Sequence, residues 1–392
     1  MTKILRSIAF SILLLAPPLA AQPQPGSGPM PVPAPPQLGA RSYILTDFYS
    51  GRVLVEQSAD ERVEPASITK AMTSYVVFAE LAQGNIALDD MVPVSEGAWQ
   101  IQGSRMFIDP SMQVSVEDLL RGVIVQSGND ASVALAEYVA GSEEAFAGVM
   151  NHYAEVLGMS NTHFTNSTGW PDGNHYSTAR DIATLSAATI RDFPDYYRWY
   201  SEKEFTFNEI RQHNRNTLLW RDPAVDGLKT GHTESAGFCL AASANREGMR
   251  LISVVMGSNS ETSRASETQS LLAYGFRFFE TVQLYKARDE LAQARVWKGM
   301  AENVAVGIAD ALFVTIPRGR YDDLDARVEV QPLLEAPLAT DAVVGQITIA
   351  LDDELVAERD LITLAGVEPA GFFGRSWDGV KLWVGGWFGE DD

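Results

Sequence analysis

Three short motifs hold the side chains best suited to chemistry, in the order Ser67-Ile68-Thr69-Lys70, Ser127-Gly128-Asn129 and Lys229-Thr230-Gly231. Together they supply a hydroxyl nucleophile, an amine to activate it, a second hydroxyl to shuttle a proton and a cation for a carboxylate. Acyl transfer by a serine that relies on lysine rather than histidine needs those parts. In a chain this long, S-x-x-K and S-x-N each arise on the order of once by chance, and K-T-G about a tenth as often. Their joint appearance in this order is therefore the signal, not any one of them.

Each residue has a role that follows from its type and position. Ser67, at a helix N-terminus near the positive end of the dipole, is the expected nucleophile. Lys70 lies three residues on, on the same helix face, within reach of the Ser67 hydroxyl. It acts as a base only when neutral, which requires burial and a neighbouring cation; Lys229 is the expected one. Ser127, between two helices, can pass a proton between Lys70 and a leaving amine. Asn129 can orient a substrate carbonyl or Lys70. Lys229-Thr230-Gly231 reads as a strand edge, with Gly231 keeping it clear for an extended peptide whose carboxylate meets Lys229 and Thr230. The backbone N–H groups of Ser67 and His232 are candidates for an oxyanion hole. Taken alone, Ser67 would be an N-cap, Lys70 a solvated lysine and S-G-N a polar turn.

The elements that must position these residues follow from periodicity. Ser42 to Phe48 and Arg52 to Gln57 flank Tyr49-Ser50-Gly51 as a β-hairpin. From Ser67, the apolar positions Ile68, Met72, Tyr75, Val76 and Ala79 predict a helix that Gly84 ends. Ser115-Val116-Glu117-Asp118 is a capping box for a helix through Gln126. Further helices are expected from Ala131 to Val139, from Glu143 to Gly158, and from a Ser177 cap to Arg191. The polar segment from Asn161 to Tyr176 reads as a surface loop beside the site. Val225 to Gly231, Gly237 to Ala244 and Arg250 to Gly257 form an antiparallel meander, closed by a helix from Ser263 to Phe279. Helices followed by strands imply an α/β (α+β) layered catalytic domain over residues 40–280. Short alternating runs over residues 281–365, such as Leu312 to Ile316 and Val343 to Leu351, imply a small all-β sandwich.

The ends of the chain have a different character. Residues 1–21 combine basic Lys3 and Arg6, an apolar run from Ile8 to Ala16 and a small-residue cleavage site at Leu19-Ala20-Ala21, as in an export signal peptide. Residues 22–39 are proline-rich and read as an extended tether. In residues 366–392, Phe373, Trp377, Val380, Val384 and Trp387 form one helical stripe, too short to span a bilayer but suited to lie on one. The acidic end, Glu390-Asp391-Asp392, is unusual for such an anchor. The net charge of −21 excludes simple attraction to nucleic acid. One cysteine, Cys239, cannot form an internal disulfide and reads as a small core residue in a strand. The five histidines (His152, His163, His175, His213 and His232) lack paired metal-ligand spacing, so no zinc site is expected.

With Asp226-Gly227-Leu228 before the third motif, His232-Thr233 after it, and Ser177-Thr178-Ala179-Arg180-Asp181, the chain resembles the low-molecular-mass penicillin-binding proteins. Within them it is most similar to the serine-type D-alanyl-D-alanine carboxypeptidases. The resemblance runs from about Ser42 to the C-terminus and includes Gln212-His213-Asn214-Arg215-Asn216 and Phe372-Phe373-Gly374-Arg375. It implies a β-lactamase/transpeptidase-like catalytic fold and removal of the terminal D-alanine from peptidoglycan pentapeptide stems through a Ser67 acyl-enzyme. It also implies covalent inhibition by β-lactams, Arg215 near the carboxylate site, and no cofactor. The location it implies is periplasmic, with the C-terminal tail on the outer face of the cytoplasmic membrane. A serine β-lactamase, a DD-endopeptidase, a transpeptidase and a catalytically silent peptidoglycan-binding scaffold share some of these features. The absence of an E-x-x-L-N loop between Ser127 and Lys229 and the extra β domain count against a β-lactamase.

Overall fold

The computed structural model describes residues 31–371. The expected export signal over residues 1–21 and the expected helical stripe from Phe373 to Trp387 lie outside the described residues. Strands β1 (Ser42–Asp47) and β2 (Val53–Gln57) form the expected hairpin. The meander consists of β3 (Val225–Thr233), β4 (Gly237–Arg246) and β5 (Met249–Ser258). Antiparallel pairing of β1 with β5 joins the two into one sheet, in the order β2-β1-β5-β4-β3.

Period-two alternation buries both faces of this sheet. Cys239 and Ala241 of β4, with Ile252, Val254 and Met256 of β5, belong to one core. Leu240, Ala242 and Ala244, with Leu251 and Val255, belong to the other. The first core is shared with a helical layer: α1 (Lys70–Gln83), α2 (Val116–Arg121), α3 (Asn129–Ala140), α4 (Glu143–Val156) and α5 (Ala179–Asp192). The second is covered by α6 (Glu261–Phe278), through Ala265, Leu271, Leu272 and Phe276. Between Lys70 and Ala79, α1 is buried on every side, with Met72 and Phe78 fully enclosed. Each such side chain contributes about 1.5–3 kcal/mol of burial. The bearer of the first motif is thus a central, rigid element.

Several boundaries differ from the sequence reading. Ser67 sits in a 3₁₀ turn, Ala66–Thr69, and the α-helix begins at Lys70. The Ser115 cap forms, accepting the Asp118 N–H at 3.1 Å, but α2 ends at Arg121 and widens into a π-helical turn, Gly122–Gln126. The cap of α5 is Thr178 rather than Ser177, whose backbone instead pairs with Val63. Two hydroxyl residues in succession offer either cap, and that bridge selects the second. The end of the proline-rich stretch is not free: Tyr274 donates to the Pro33 carbonyl at 2.9 Å, and Val32 and Leu38 pack on the second core.

The segment from 161 to 176 is the largest departure from expectation. Phe164, Ser167, Thr168 and His175 are each at most 2% exposed. Its polar side chains satisfy its own backbone instead of water. The Asn166 Oδ1 accepts the N–H groups of Thr168, Gly169 and Trp170, and the Glu143 carboxylate takes the N–H and hydroxyl of Ser167.

Beyond α6, Phe279–Tyr285 pairs with Leu312–Pro317 and faces a six-stranded sheet. Val314 and Ile316 meet Ile347, Ile349 and Leu361 in a separate core, so the second unit is a two-sheet β domain. Residues 366–370 continue it: Pro369 bridges Gly299, and Ala370 donates to the Lys298 carbonyl at 2.8 Å. The catalytic domain meets this unit through the first hairpin, where the Thr281 hydroxyl donates to buried Asp47 at 2.6 Å and Tyr49 stacks on Phe313.

Candidate active site

A cleft of about 880 Å³ opens where the helical layer meets the edge strand β3. Ser67, Ser127, Asn129, Arg215, Thr230 and His232 all line it, so residues up to 165 positions apart in sequence converge. The sheet edge supplies Thr230, Gly231 and His232, and the helical layer supplies the two serines. Gly231 matters for a reason beyond the one expected. A Cβ there would lie 2.8 Å from the Pro65 carbonyl oxygen and 3.2 Å from Ala66, in the turn that carries Ser67. The missing side chain lets the strand approach the nucleophile, and Gly231 also lines the cleft.

Two lysine–serine pairs form the centre. The Lys70 Nζ donates to the Ser67 Oγ at 3.0 Å and to the Thr168 carbonyl at 2.6 Å. The Lys229 Nζ donates to the Ser127 Oγ at 3.0 Å and to its neighbouring Thr230 carbonyl at 3.1 Å. Ser127 reaches inward because the chain takes a left-handed conformation there (φ 65°) between the π-helical turn and α3. Neither lysine forms an ion pair among the described residues. Burial therefore dominates their protonation. It pushes Lys70 down to about 7, with Arg215 lowering it further and the Asp130 and Glu143 carboxylates opposing. Lys229 is likewise held well below its usual value, by burial first and then by Lys70, Arg215 and Arg264. The sequence reading named Lys229 as the cation acting on Lys70; the two lysines are electrostatically coupled, so each disfavours charge on the other, and Arg215 adds to the effect on both.

Arg215 is aimed by the alternation of its neighbours. Gln212, Asn214 and Asn216 turn inward and donate to the carbonyls of Met106, Glu202 and Gly227. The intervening Arg215 consequently faces the cleft. Asn129 is pinned too: its Nδ2 donates to the Gln102 carbonyl at 2.6 Å, and its backbone N–H donates to the Ser104 carbonyl at 2.7 Å. That leaves the amide oxygen as the group free for a ligand donor. The His232 ring stacks on Phe238 at 4.0 Å.

Three contributors escaped the sequence reading. Asp130, fully buried, accepts the N–H groups of Met106 and Phe107 at 2.9 Å and so fixes the wall that holds Asn129. Its position directly after S-G-N was the only available signal. Thr168 acts through a backbone carbonyl and gave no signal. His175 lies behind the nucleophile turn, in a segment read as surface. Cys239 is buried and free, its thiol pushed up to about 11 by burial, which suits a core residue. Among the described residues no group of three His, Cys, Asp or Glu side chains is placed to hold a metal.

A family model described as D-alanyl-D-alanine carboxypeptidase matches residues 30–260, and one described as penicillin-binding protein 5, C-terminal domain, matches residues 279–369. The chain is 49% identical over 365 residues to D-alanyl-D-alanine carboxypeptidase DacC of Escherichia coli (strain K12), covering 90% of this chain and 91% of the relative. The solved penicillin-binding protein 5 of Haemophilus influenzae is 47% identical, with a TM-score of 0.83 over 86% of this chain and 99% of that one. Penicillin-Binding Protein D2 of Listeria monocytogenes, solved in its ampicillin-bound form, is 29% identical, with a TM-score of 0.57 over 61% of this chain and 98% of that one. The chain belongs to the D-alanyl-D-alanine carboxypeptidase family of serine-type peptidases.

Proposed function

We propose that the protein removes the terminal D-alanine from peptidoglycan pentapeptide stems through an acyl-enzyme on Ser67. The observation that carries the reading is a buried amine, Lys70, 3.0 Å from the Ser67 hydroxyl and with its proton affinity lowered to near neutrality. Neutral Lys70 takes the Ser67 proton as Oγ attacks the penultimate D-alanine carbonyl, and the N–H groups of Ser67 and His232 hold the resulting oxyanion. The proton travels through Ser127 to the leaving amine, the C–N bond breaks, and D-alanine departs. Water then attacks the ester, Lys70 again accepts a proton, and Ser67 regains its own. The substrate carboxylate is met by Thr230, Lys229 and Arg215. Its charge makes protonation of Lys229 favourable again, so substrate completes the electrostatics of the cleft.

β-Lactams present the same carboxylate and a strained amide, so acylation of Ser67 by penicillin is expected, in keeping with the ampicillin complex of the Listeria relative. The test is intact-protein mass spectrometry with benzylpenicillin, together with D-alanine release from diacetyl-lysyl-D-alanyl-D-alanine. Wild type should form the adduct and release D-alanine, and Ser67→Ala should do neither. An adduct on Ser67→Ala would move the nucleophile elsewhere. An adduct without D-alanine release would favour an endopeptidase, a transpeptidase or a silent scaffold.

The proposed location is periplasmic, on the outer face of the cytoplasmic membrane, with the tail from Phe372 as the attachment. No helix among the described residues is long and apolar enough to cross a membrane. Because Glu368, Pro369 and Ala370 pair with the β domain, truncation belongs after Gly371. That shortened protein should keep full penicillin acylation and lose co-sedimentation with anionic lipid vesicles. Continued sedimentation would rule out the tail as anchor.

A further inference from the structure

We propose that His175 is a positioning residue for this reaction, locking the loop that binds Lys70 onto the turn that bears Ser67. The inference rests on the acyl-enzyme reading above and concerns what holds its base and nucleophile in register. The imidazole is 2% exposed and spans two segments. Its Nδ1 lies 3.1 Å from the Thr165 backbone nitrogen, and its Nε2 lies 2.8 Å from the Thr69 Oγ1. A backbone N–H can only donate, so Nδ1 accepts, and a neutral ring carries its proton on Nε2 and donates it to Thr69. Burial holds the ring neutral, its proton affinity lowered to about 4, with His163 and Lys70 adding to the effect and Asp172 opposing it.

Both ends of this bridge lead to the reacting atoms. Thr69 is the residue before Lys70 and two after Ser67. Thr165 opens the stretch whose Thr168 carbonyl accepts from the Lys70 Nζ at 2.6 Å. The same stretch presses directly on the nucleophile turn, since a Cβ at Gly169 would fall 2.8 Å from the Thr69 Oγ1. Without the imidazole, the Thr69 hydroxyl and the Thr165 N–H lose one shared partner at once. The Thr168 carbonyl and Ser67 then hold Lys70 from two segments that have lost their tie at Thr69, leaving the bond from the Thr73 hydroxyl to the Ser167 carbonyl at 2.6 Å. A misplacement of about 1 Å at a reacting pair costs on the order of a hundredfold in rate. His175 touches no substrate, so its effect lies in the rate of acylation and not in binding.

Three variants separate the two bonds. The amide nitrogen of H175Q stands near Nε2 and preserves the link to Thr69, the amide oxygen of H175N stands near Nδ1 and preserves only the link to Thr165, and H175A preserves neither. The measurements are the benzylpenicillin acylation rate constant, kcat and KM for D-alanine release, and the thermal midpoint. A ¹⁵N spectrum of the wild-type imidazoles reports the tautomer. H175A and H175N should acylate about tenfold or more slowly, with kcat falling and KM nearly constant, while H175Q stays within about threefold of wild type. The ring should be neutral with its proton on Nε2 at pH 7. Wild-type rates in H175A, equal losses in H175Q and H175A, rate losses that only follow the folded fraction, or a proton on Nδ1 would each overturn the assignment. Failure of the wild type to be acylated at all would instead overturn the acyl-enzyme reading beneath it.

Discussion

Methionine in place of Lys70 is expected to slow acylation of Ser67 by benzylpenicillin about a hundred- to ten-thousandfold, the range a positioned base contributes. The variant keeps the length and fills the apolar surroundings, so the loss would be of chemistry and not of fold. Wild-type acylation should depend on pH with a definite sign. An ammonium cannot accept the Ser67 proton, so the rate should rise as pH increases through about 7 and level off above it. Rapid-quench acylation across pH 5.5–9.5 checks this. A rate for K70M within about tenfold of wild type would place the base elsewhere, because a positioned base contributes more than that.

The same proton sets a stability difference. Lys70 is neutral in the folded state above about 7, whereas the ordinary value of a lysine is 10.5. Between those values the unfolded chain binds the extra proton, so the wild type gains stability as pH rises through that window. Below about 7 the ammonium stays buried and its cost is fully present. K70M lacks this group, so its stability advantage over the wild type should be greatest at and below pH 7. It should shrink towards pH 10.5. Denaturant midpoints of both proteins at several pH values measure the difference.

Alanine at Gly169 is the second substitution with a large expected effect. The chain is left-handed there (φ 80°), and an added Cβ would stand 1.8 Å from the Ala66 carbonyl oxygen, a backbone atom that no side-chain rotation can move away. Left-handed strain costs roughly 1–2 kcal/mol for a residue with a side chain, and overpacking about 1–3 kcal/mol more. Relief requires the 161–176 segment to lift from the nucleophile turn, taking the Thr168 carbonyl away from Lys70. G169A should therefore lose about 2–5 kcal/mol in denaturant unfolding, or keep its stability by displacing the segment. Either way acylation falls. Unchanged stability together with unchanged acylation would mean that the contact is not as close as 1.8 Å.

The reactive inventory and the elements that carry it were legible in local sequence. Alternation in β4 and β5, the 3.6-residue stripe of α1 and the Ser115 cap are properties of neighbouring residues, and neighbouring residues suffice to specify them. So are Ser67 and Lys70 on one turn. The β domain was legible as a class but not strand by strand. Its strand Glu354–Thr363 is largely exposed along its first half, which blurs the alternation.

What only the tertiary structure decided is which group acts on which. Lys229 was the plausible cation for Lys70 because both belong to motifs; packing couples the two, adds Arg215 as a further cation and pairs Lys229 with Ser127. Gly231 was read from its own strand, yet its missing side chain also accommodates a turn more than 160 residues away. The segment from 161 to 176 has the composition of a solvated loop, but Asn166, Glu143 and His175 supply partners that water would otherwise supply. Sequence determines the chemical types available and their local geometry. Proton affinity, close approach and the satisfaction of buried polar groups depend on distances between remote segments, and only the folded chain sets those distances.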